Sequence, residues 1–226
     1  MSSAISPTAD YARQQMIDQQ VRAWEVLEPR VLSTMGLIKR EDFVPAAYRH
    51  VAFADAPVPL GHGQFMLPPK VDGKILQALD IQAGDQALDV GSGSGYLAAC
   101  LGRLAAHVRT VEIHPDLAEQ ARGNLHAAAA NNVVVEVADV FSLPADRLGE
   151  RRYDVIAVTG SLPVYDERFQ RALKIGGRLF VVLGSAPVME AFKIVRLSDS
   201  QFSREGLFET VIEPLTNAPS PSSFVF

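Results

Sequence analysis

The sequence predicts an α/β fold: a mostly parallel sheet with helices on both faces, an antiparallel hairpin at its C-terminal edge and a helical cap at its N-terminus. Three observations predict it. From residue 71 onward helical and strand patterns alternate, the rhythm that builds parallel sheets. Within ALDVGSGSGY, residues 87–96, a buried-type strand runs into a glycine-rich turn and then into a helix. Two late apolar runs, Ala191 to Leu197 and Leu207 to Ile212, read as an antiparallel edge hairpin.

Taken in order, residues 1–55 form the cap. Met16 with Ile17, Gln20 with Val21, Trp24, Val31, Leu32 and Met35 are spaced by three and four, which predicts two or three short helices, and Pro29 suits a helix's first turn. The stretch DAPVPLGHGQFMLPPK follows, and its four prolines and two glycines predict a long structured loop over 56–70 without a regular ladder. Loops of this kind are where substrates are often met. The core, residues 71–226, begins with a helix over 71–80, a strand Ala87 to Val90, a helix Tyr96 to Ala105 and a strand Val108 to Ile113. It continues with a helix from Pro115 to about Ala129, strands Val133 to Val137 and Tyr153 to Thr159, a helix Asp166 to Lys174 and a strand Arg178 to Leu183. Cap, loop and core together are expected to make a single domain, 1–226.

Composition removes several classes of function. With 21 Lys and Arg against 26 Asp and Glu, the net charge of -5 does not suit a groove for nucleic-acid phosphates. The most apolar stretch, Leu179 to Met189, contains Gly, Ser and Pro and is too short to cross a bilayer, so no membrane partner is expected. The N-terminus lacks the charged and apolar regions of a signal peptide. Cys100 is the single cysteine, and the five histidines show no metal-ligand spacing, so the expectation is a cytoplasmic protein without a metal.

Glycines at alternate positions, Gly91, Gly93 and Gly95, allow a tight bend and close approach of the backbone to a ligand. A dinucleotide fingerprint requires GxGxxG, and Tyr96 stands where its third glycine belongs. Three acids sit at successive strand ends. Asp89 lies under the glycine turn, placed to orient its amides or to accept from a ligand ammonium; Glu112 follows Gly91 by 21 residues, placed to accept from a ribose; Asp139 ends the third strand. Acids in this row would repel a phosphate and attract a sulfonium or an ammonium, which favours S-adenosylmethionine as the cofactor. Taken singly, each also reads as a helix cap or a solvated acid.

QQVRAWEVLEPRVLSTMGLIKREDFVP (Gln19 to Pro45), APVPLGHGQ (Ala56 to Gln64), LDVGSGSGYLAA, VRTVEIHPDLAEQA, YDVIAVTG and IGGRLFVVLG together resemble the protein-L-isoaspartate O-methyltransferase family of class I S-adenosylmethionine-dependent methyltransferases. The resemblance implies a Rossmann-like, seven-stranded sheet and transfer of a methyl group to the α-carboxyl of L-isoaspartyl residues in damaged proteins. Carried over residue by residue, it implies cofactor contacts by Asp89, Gly91, Ser92, Gly93 and Gly95, by Glu112 and Ile113, and by Asp139 with Val140.

Two departures from the family pattern are visible. The family continues Thr-Ile-Ser-x-Pro after GxGQ, whereas this chain reads Phe65-Met66-Leu67-Pro68-Pro69, so both hydroxyls are absent. The family's GDG is Ala138-Asp139-Val140 here. No catalytic residue is thereby assigned: Gln64 and His62 are the remaining candidates in the loop, each with a structural role as the competing reading. A carboxylate acceptor is already ionised near pH 7 and needs no base, whereas a hydroxyl or amine acceptor could use His62. Three functions follow: methylation of an isoaspartyl protein or peptide, methylation of another acceptor such as a small carboxylate, or a non-catalytic S-adenosylmethionine-binding regulator.

Overall fold

The structure, a computed structural model, describes residues 7–144 and 148–220. The cap begins with helix α1 (Pro7–Met16), which runs on through a π turn, Ile17–Val21, into a 3-10 turn, Arg22–Trp24. Glu25, in the left-handed region at φ 59°, ends it. Helix α2 (Pro29–Leu37) starts on Pro29 as expected, and the Glu28 carboxylate accepts from the Arg30 N–H at its first turn. The spacing identified in the sequence becomes one buried stripe of Met16, Ile17, Val21, Val31 and Met35, packed with Ile75, Leu76 and Leu79 of helix α3 (Pro69–Leu79).

Between cap and α3 the structure corrects the sequence expectation. Residues 58–66 are a ribbon in which β1 (Val58–Gly61) pairs antiparallel with β2 (Gln64–Met66), with an irregularity between Pro59 and Gly61. Both strands of a two-stranded ribbon are edges, where a proline is tolerated, so Pro59 does not prevent the pairing. Gly61, His62 and Gly63 turn the ribbon with φ of 107°, 52° and 69°.

The sheet has seven strands in the order β5-β4-β3-β6-β7-β8-β9: β3 (Gln86–Val90), β4 (His107–Glu112), β5 (Val133–Val137), β6 (Tyr153–Leu162), β7 (Leu173–Ser185), β8 (Val188–Arg196) and β9 (Phe202–Glu209). The first five are parallel and the last two antiparallel. Helices α4 (Tyr96–Leu104), α5 (Pro115–Ala127) and α6 (Arg168–Ala172) make crossovers. The chain winds outward from β3 to β5 and then returns to the other side of β3 with β6, so the order reverses between β3 and β6. Ligands of open α/β sheets bind above the carboxyl ends of strands at such a reversal.

Several boundaries differ from expectation: β6 runs past Thr159 to Leu162, and β7 starts at Leu173 rather than at Arg178. The helix expected over 166–174 is only α6, because Leu173 already pairs with Tyr153. The last strand lies at Phe202–Glu209, not at 207–212: the Leu197 N–H donates to the Gln201 carbonyl, and this tight turn returns the chain to the sheet at once. Val211 and Ile212 are thereby directed toward the end of β6, where the Ser161 hydroxyl donates to the Ile212 carbonyl and Ser161 bridges to Pro214. In the tail, Asn217 reaches Asp139 and Ala218 packs on the core, while Phe224 and Phe226 lie outside the described residues. No helix among the described residues is long and apolar enough to cross a membrane.

Candidate functional site

The glycine turn leaves β3 directly at the reversal. Gly91 adopts φ 99°, and a Cβ placed on it would lie 2.6 Å from Thr159 Oγ1. That hydroxyl approaches so closely because it meets the carbonyls of Val90 at 2.8 Å and Gly91 at 3.0 Å, lacing β6 to the turn. Gly95, at φ 84°, opens α4, and a Cβ there would meet the Ala121 carbonyl of α5 at 3.3 Å. Both positions combine a backbone that side chains rarely adopt with a lack of room for one.

The three acids have three different environments. Glu112 is 5% exposed; its Oε2 accepts from the Gly93 N–H at 2.9 Å and its Oε1 from the His114 N–H at 3.1 Å, so this side chain orients a turn amide. The sequence reading offered that task to Asp89, with acceptance from a ligand ammonium as its alternative. Asp89 instead accepts from Thr110 Oγ1 at 2.7 Å, Ser92 Oγ lies 2.6 Å from the same hydroxyl, and Asp89 Oδ1 has no partner among the described residues. Burial pushes the Asp89 carboxyl up to about 7; the Thr110 hydroxyl works against this and the charge of Glu112 adds to it. A buried carboxylate oxygen without a donor suits a cationic ligand above it. Asp139 is more open. Partial burial would raise its carboxyl, but hydrogen bonds from Ser142, the Phe141 N–H and Asn217 hold it below the usual range.

The turn and strand ends open on a cavity with about 600 Å³ of empty space, counted with its open mouth. Of the residues singled out in the sequence, Gly91, Gly93, Glu112, Ile113, Asp139 and Val140 line it, and Gln64 and Phe65 of the ribbon join them. Ser92 faces a second space beneath the ribbon, shared with Ser94 and Tyr96, while Asp89 and Gly95 line neither and act as support. Leu67 lines the second space and a third one toward Val211. His62, at the ribbon tip, lies outside the main cavity: its Nε2 is 2.9 Å from Asp116 Oδ2, and its ring stacks on His114 with centroids 4.0 Å apart. The hydrogen bond with His62 holds the exposed Asp116 carboxyl below its usual range. Among the described residues, no cluster of three His, Cys, Asp or Glu side chains could hold a metal ion.

Sequence reasoning missed Thr159, Leu60, His114, Leu215 and Thr216, which also line the main cavity. Thr159 stands at the end of an expected strand next to the turn, and that position is the signal that could have found it. Leu215 and Thr216 carry no comparable signal. Also missed was Arg40, fully buried, whose guanidinium meets Asp72 at 2.7 Å, the Ala52 carbonyl at 3.0 Å and the Leu67 carbonyl at 2.6 Å. It stands 5.1 Å from the Tyr96 ring centroid and so joins cap, ribbon, α3 and glycine-turn helix. Burial raises the Asp72 carboxyl to about 7 even with Arg40 beside it. Cys100, in the same region, is buried, and burial pushes its thiol well above the ordinary value, which fits the inert hydrophobe expected.

Known proteins resemble this chain in sequence and in fold. A family model for protein-L-isoaspartate(D-aspartate) O-methyltransferases matches residues 11–219. A protein-L-isoaspartate O-methyltransferase of Rhodopseudomonas palustris is 37% identical over 205 residues, covering 90% of this chain and 92% of the relative. One from Aeropyrum pernix is 35% identical, covering 90% of this chain and 79% of its own. The solved structure of a Plasmodium falciparum protein described as a protein-L-isoaspartate O-methyltransferase, in complex with S-adenosyl-L-homocysteine, matches with a TM-score of 0.79 over 90% of this chain and 98% of that one. Its 19% identity makes that a likeness of fold. With 209 of its residues matched by the model and relatives above 30% identity along most of its length, the chain belongs to the protein-L-isoaspartate(D-aspartate) O-methyltransferase family.

Proposed function

We propose that this protein transfers a methyl group from S-adenosylmethionine to the α-carboxyl of L-isoaspartyl residues in damaged proteins, the first step of their repair. The observation that carries this reading is the convergence, on one cavity at the sheet reversal, of the glycine turn, Glu112, Asp139 and the ribbon residues Gln64 and Phe65. Residues of the cofactor half fit a cationic nucleoside better than a phosphate. Glu112 has lone pairs left for ribose hydroxyls beyond those used by Gly93 and His114, Ile113 and Val140 offer apolar contact to adenine, and a cation above the turn would draw the buried Asp89 carboxyl, whose Oδ1 lacks a donor among the described residues, into its ionised form. S-adenosylmethionine supplies an electrophilic methyl group on its sulfonium.

On the acceptor side, an ionised carboxylate is already a nucleophile, so the residues here have to align it rather than deprotonate it. Gln64 is suited to that: its carboxamide carries no hydrogen bond to the described residues and borders both the main and the third cavity. His62, tied to Asp116 at the rim, belongs to the ribbon's anchorage rather than to proton transfer. A reducing cytoplasm accords with the buried thiol of Cys100 and with a protein substrate.

Incubation with radiolabelled S-adenosylmethionine and an isoaspartyl peptide tests the reading. A base-labile methyl ester is expected; labelling no greater than with the matched aspartyl peptide would refute the acceptor.

A further inference from the structure

Phe65 and Thr159 line all three spaces around the ribbon: the main cavity, the space beneath it, and the third cavity. They therefore mark the junction where those spaces meet. With the nucleoside beside Glu112 and Asp139 and its amino-acid end toward the glycine turn, the third cavity is the room left for an acceptor. It offers about 680 Å³ of empty space with its mouth included, between the ribbon and the segment that follows β9.

Its chemistry is mostly apolar. Pro57, Phe65, Leu67, Pro68, Val211 and Ile212 form most of the wall. The Thr159 hydroxyl is engaged with the Val90 and Gly91 carbonyls, which leaves Gln64 and Thr210 as the polar donors, and Glu213 is the one charged side chain among the lining residues. Phe65 is 42% and Val211 60% exposed, two large apolar side chains left in water on the wall of one cavity beside the reaction junction. Single exposed apolar residues need no explanation, but a set of them lining a cleft at a reacting centre is what a ligand side chain covers.

We infer that this cavity is a specificity subsite for an apolar side chain next to the isoaspartyl residue, with Phe65, Leu67 and Val211 as its specificity-determining residues. Acidic neighbours are disfavoured twice, by an apolar wall that cannot pair a carboxylate and by Glu213. The inference rests on the isoaspartyl reading above and adds to it which damaged sites the enzyme selects.

The test is the ratio of kcat/KM for two isoaspartyl peptides that differ only in flanking residues, Leu on both sides in one and Glu in the other. A ratio measured on one preparation is independent of how much of a variant is folded. The wild-type protein is expected to prefer the Leu peptide by about tenfold or more, and the triple variant Phe65→Thr, Leu67→Ser, Val211→Ser to discriminate by about threefold or less. Near-equal rates in the wild type, or an undiminished ratio in the variant, overturn the subsite. Failure to methylate either peptide, with S-adenosylhomocysteine still bound in calorimetry, removes the isoaspartyl reading and the subsite with it, an outcome distinct from equal rates.

Discussion

Replacing Glu112 by Gln is the sharpest perturbation of the proposed cofactor site, because it keeps size and shape and removes only charge and one acceptor. In the wild type both carboxylate oxygens accept backbone N–H groups, from Gly93 at 2.9 Å and His114 at 3.1 Å, in a position 5% exposed. A carboxamide has one oxygen, so one of these N–H groups then faces an NH2 donor. Hydrogen bonds to charged groups contribute about 1.5–3 kcal/mol each, so losing one is expected to lower stability by about that amount. A ribose hydroxyl that lost its charged acceptor would weaken the cofactor by a similar amount, roughly 10- to 150-fold in Kd for S-adenosylhomocysteine. Calorimetric titration measures the affinity and urea denaturation the stability. A 2′-deoxy analogue separates the two effects: the wild type should bind it more weakly than the parent compound, and the variant should scarcely tell them apart. If Glu112→Gln bound the parent within about threefold of the wild type, or discriminated against the deoxy analogue as strongly, the ribose role would be wrong.

Gly91→Ala places a methyl group against Thr159 Oγ1 at φ 99°, so about 1–3 kcal/mol of stability and about tenfold or more in cofactor affinity should be lost; Thr159→Ala in the same chain should relieve the collision but not the backbone strain, and full recovery would contradict this division. Arg40→Met leaves the Asp72 carboxyl and the Ala52 and Leu67 carbonyls without their donor, for an expected cost of about 3–5 kcal/mol in urea denaturation that Asp72→Asn partly restores, whereas a loss under about 1 kcal/mol would mean the pair is dispensable. Asp89 has a native carboxyl raised from 3.8 to about 7, so the folded state holds the extra proton between those values; its contribution to stability is present below about pH 4 and is lost as pH rises to 7. Asp89→Asn should therefore flatten the decline in cofactor-free stability from pH 4 to pH 7, and an unchanged slope in denaturation at several pH values would contradict the buried, proton-binding carboxyl.

The parts of this molecule legible in the sequence are those set by local pattern. The strand Val133–Val137 lies where alternation places it, and the glycine turn lies between β3 and α4 because the residues around it can form little else. What was not legible depends on partners far along the chain. The bonds Thr159 to Gly91, His62 to Asp116 and Asn217 to Asp139 span 68, 54 and 78 residues, and no periodicity announces them. The ribbon was obscured because prolines read as breakers unless the strand is known to be an edge, which is a property of the tertiary structure. The shift of β9 has the same origin: Leu207 to Ile212 is apolar throughout its ends, but the turn at 197–201 decides which of these residues pair with β8 and which reach the cleft.

That shift links the fold to selectivity. Because β9 stops at Glu209, residues 210–213 cross from β8, where the Thr210 N–H donates to the Met189 carbonyl, to Ser161 of β6, which donates to the Ile212 and Glu213 carbonyls. They so form one wall of the third cavity, opposite a ribbon whose exit is fixed by Arg40 through the Leu67 carbonyl. The same guanidinium holds Asp72 of α3 and stands by Tyr96 of the glycine-turn helix, so the cap positions the acceptor ribbon against the cofactor turn through one buried side chain. A buried ion pair is weak evidence for stability, since an apolar replacement of both partners is often neutral or better. Its value here lies in geometry: three carbonyl and carboxylate acceptors on three segments leave the guanidinium a single satisfied placement. Replacing both Arg40 and Asp72 with apolar residues could therefore preserve stability and still loosen the ribbon, which would separate the selection of the acceptor from the integrity of the fold.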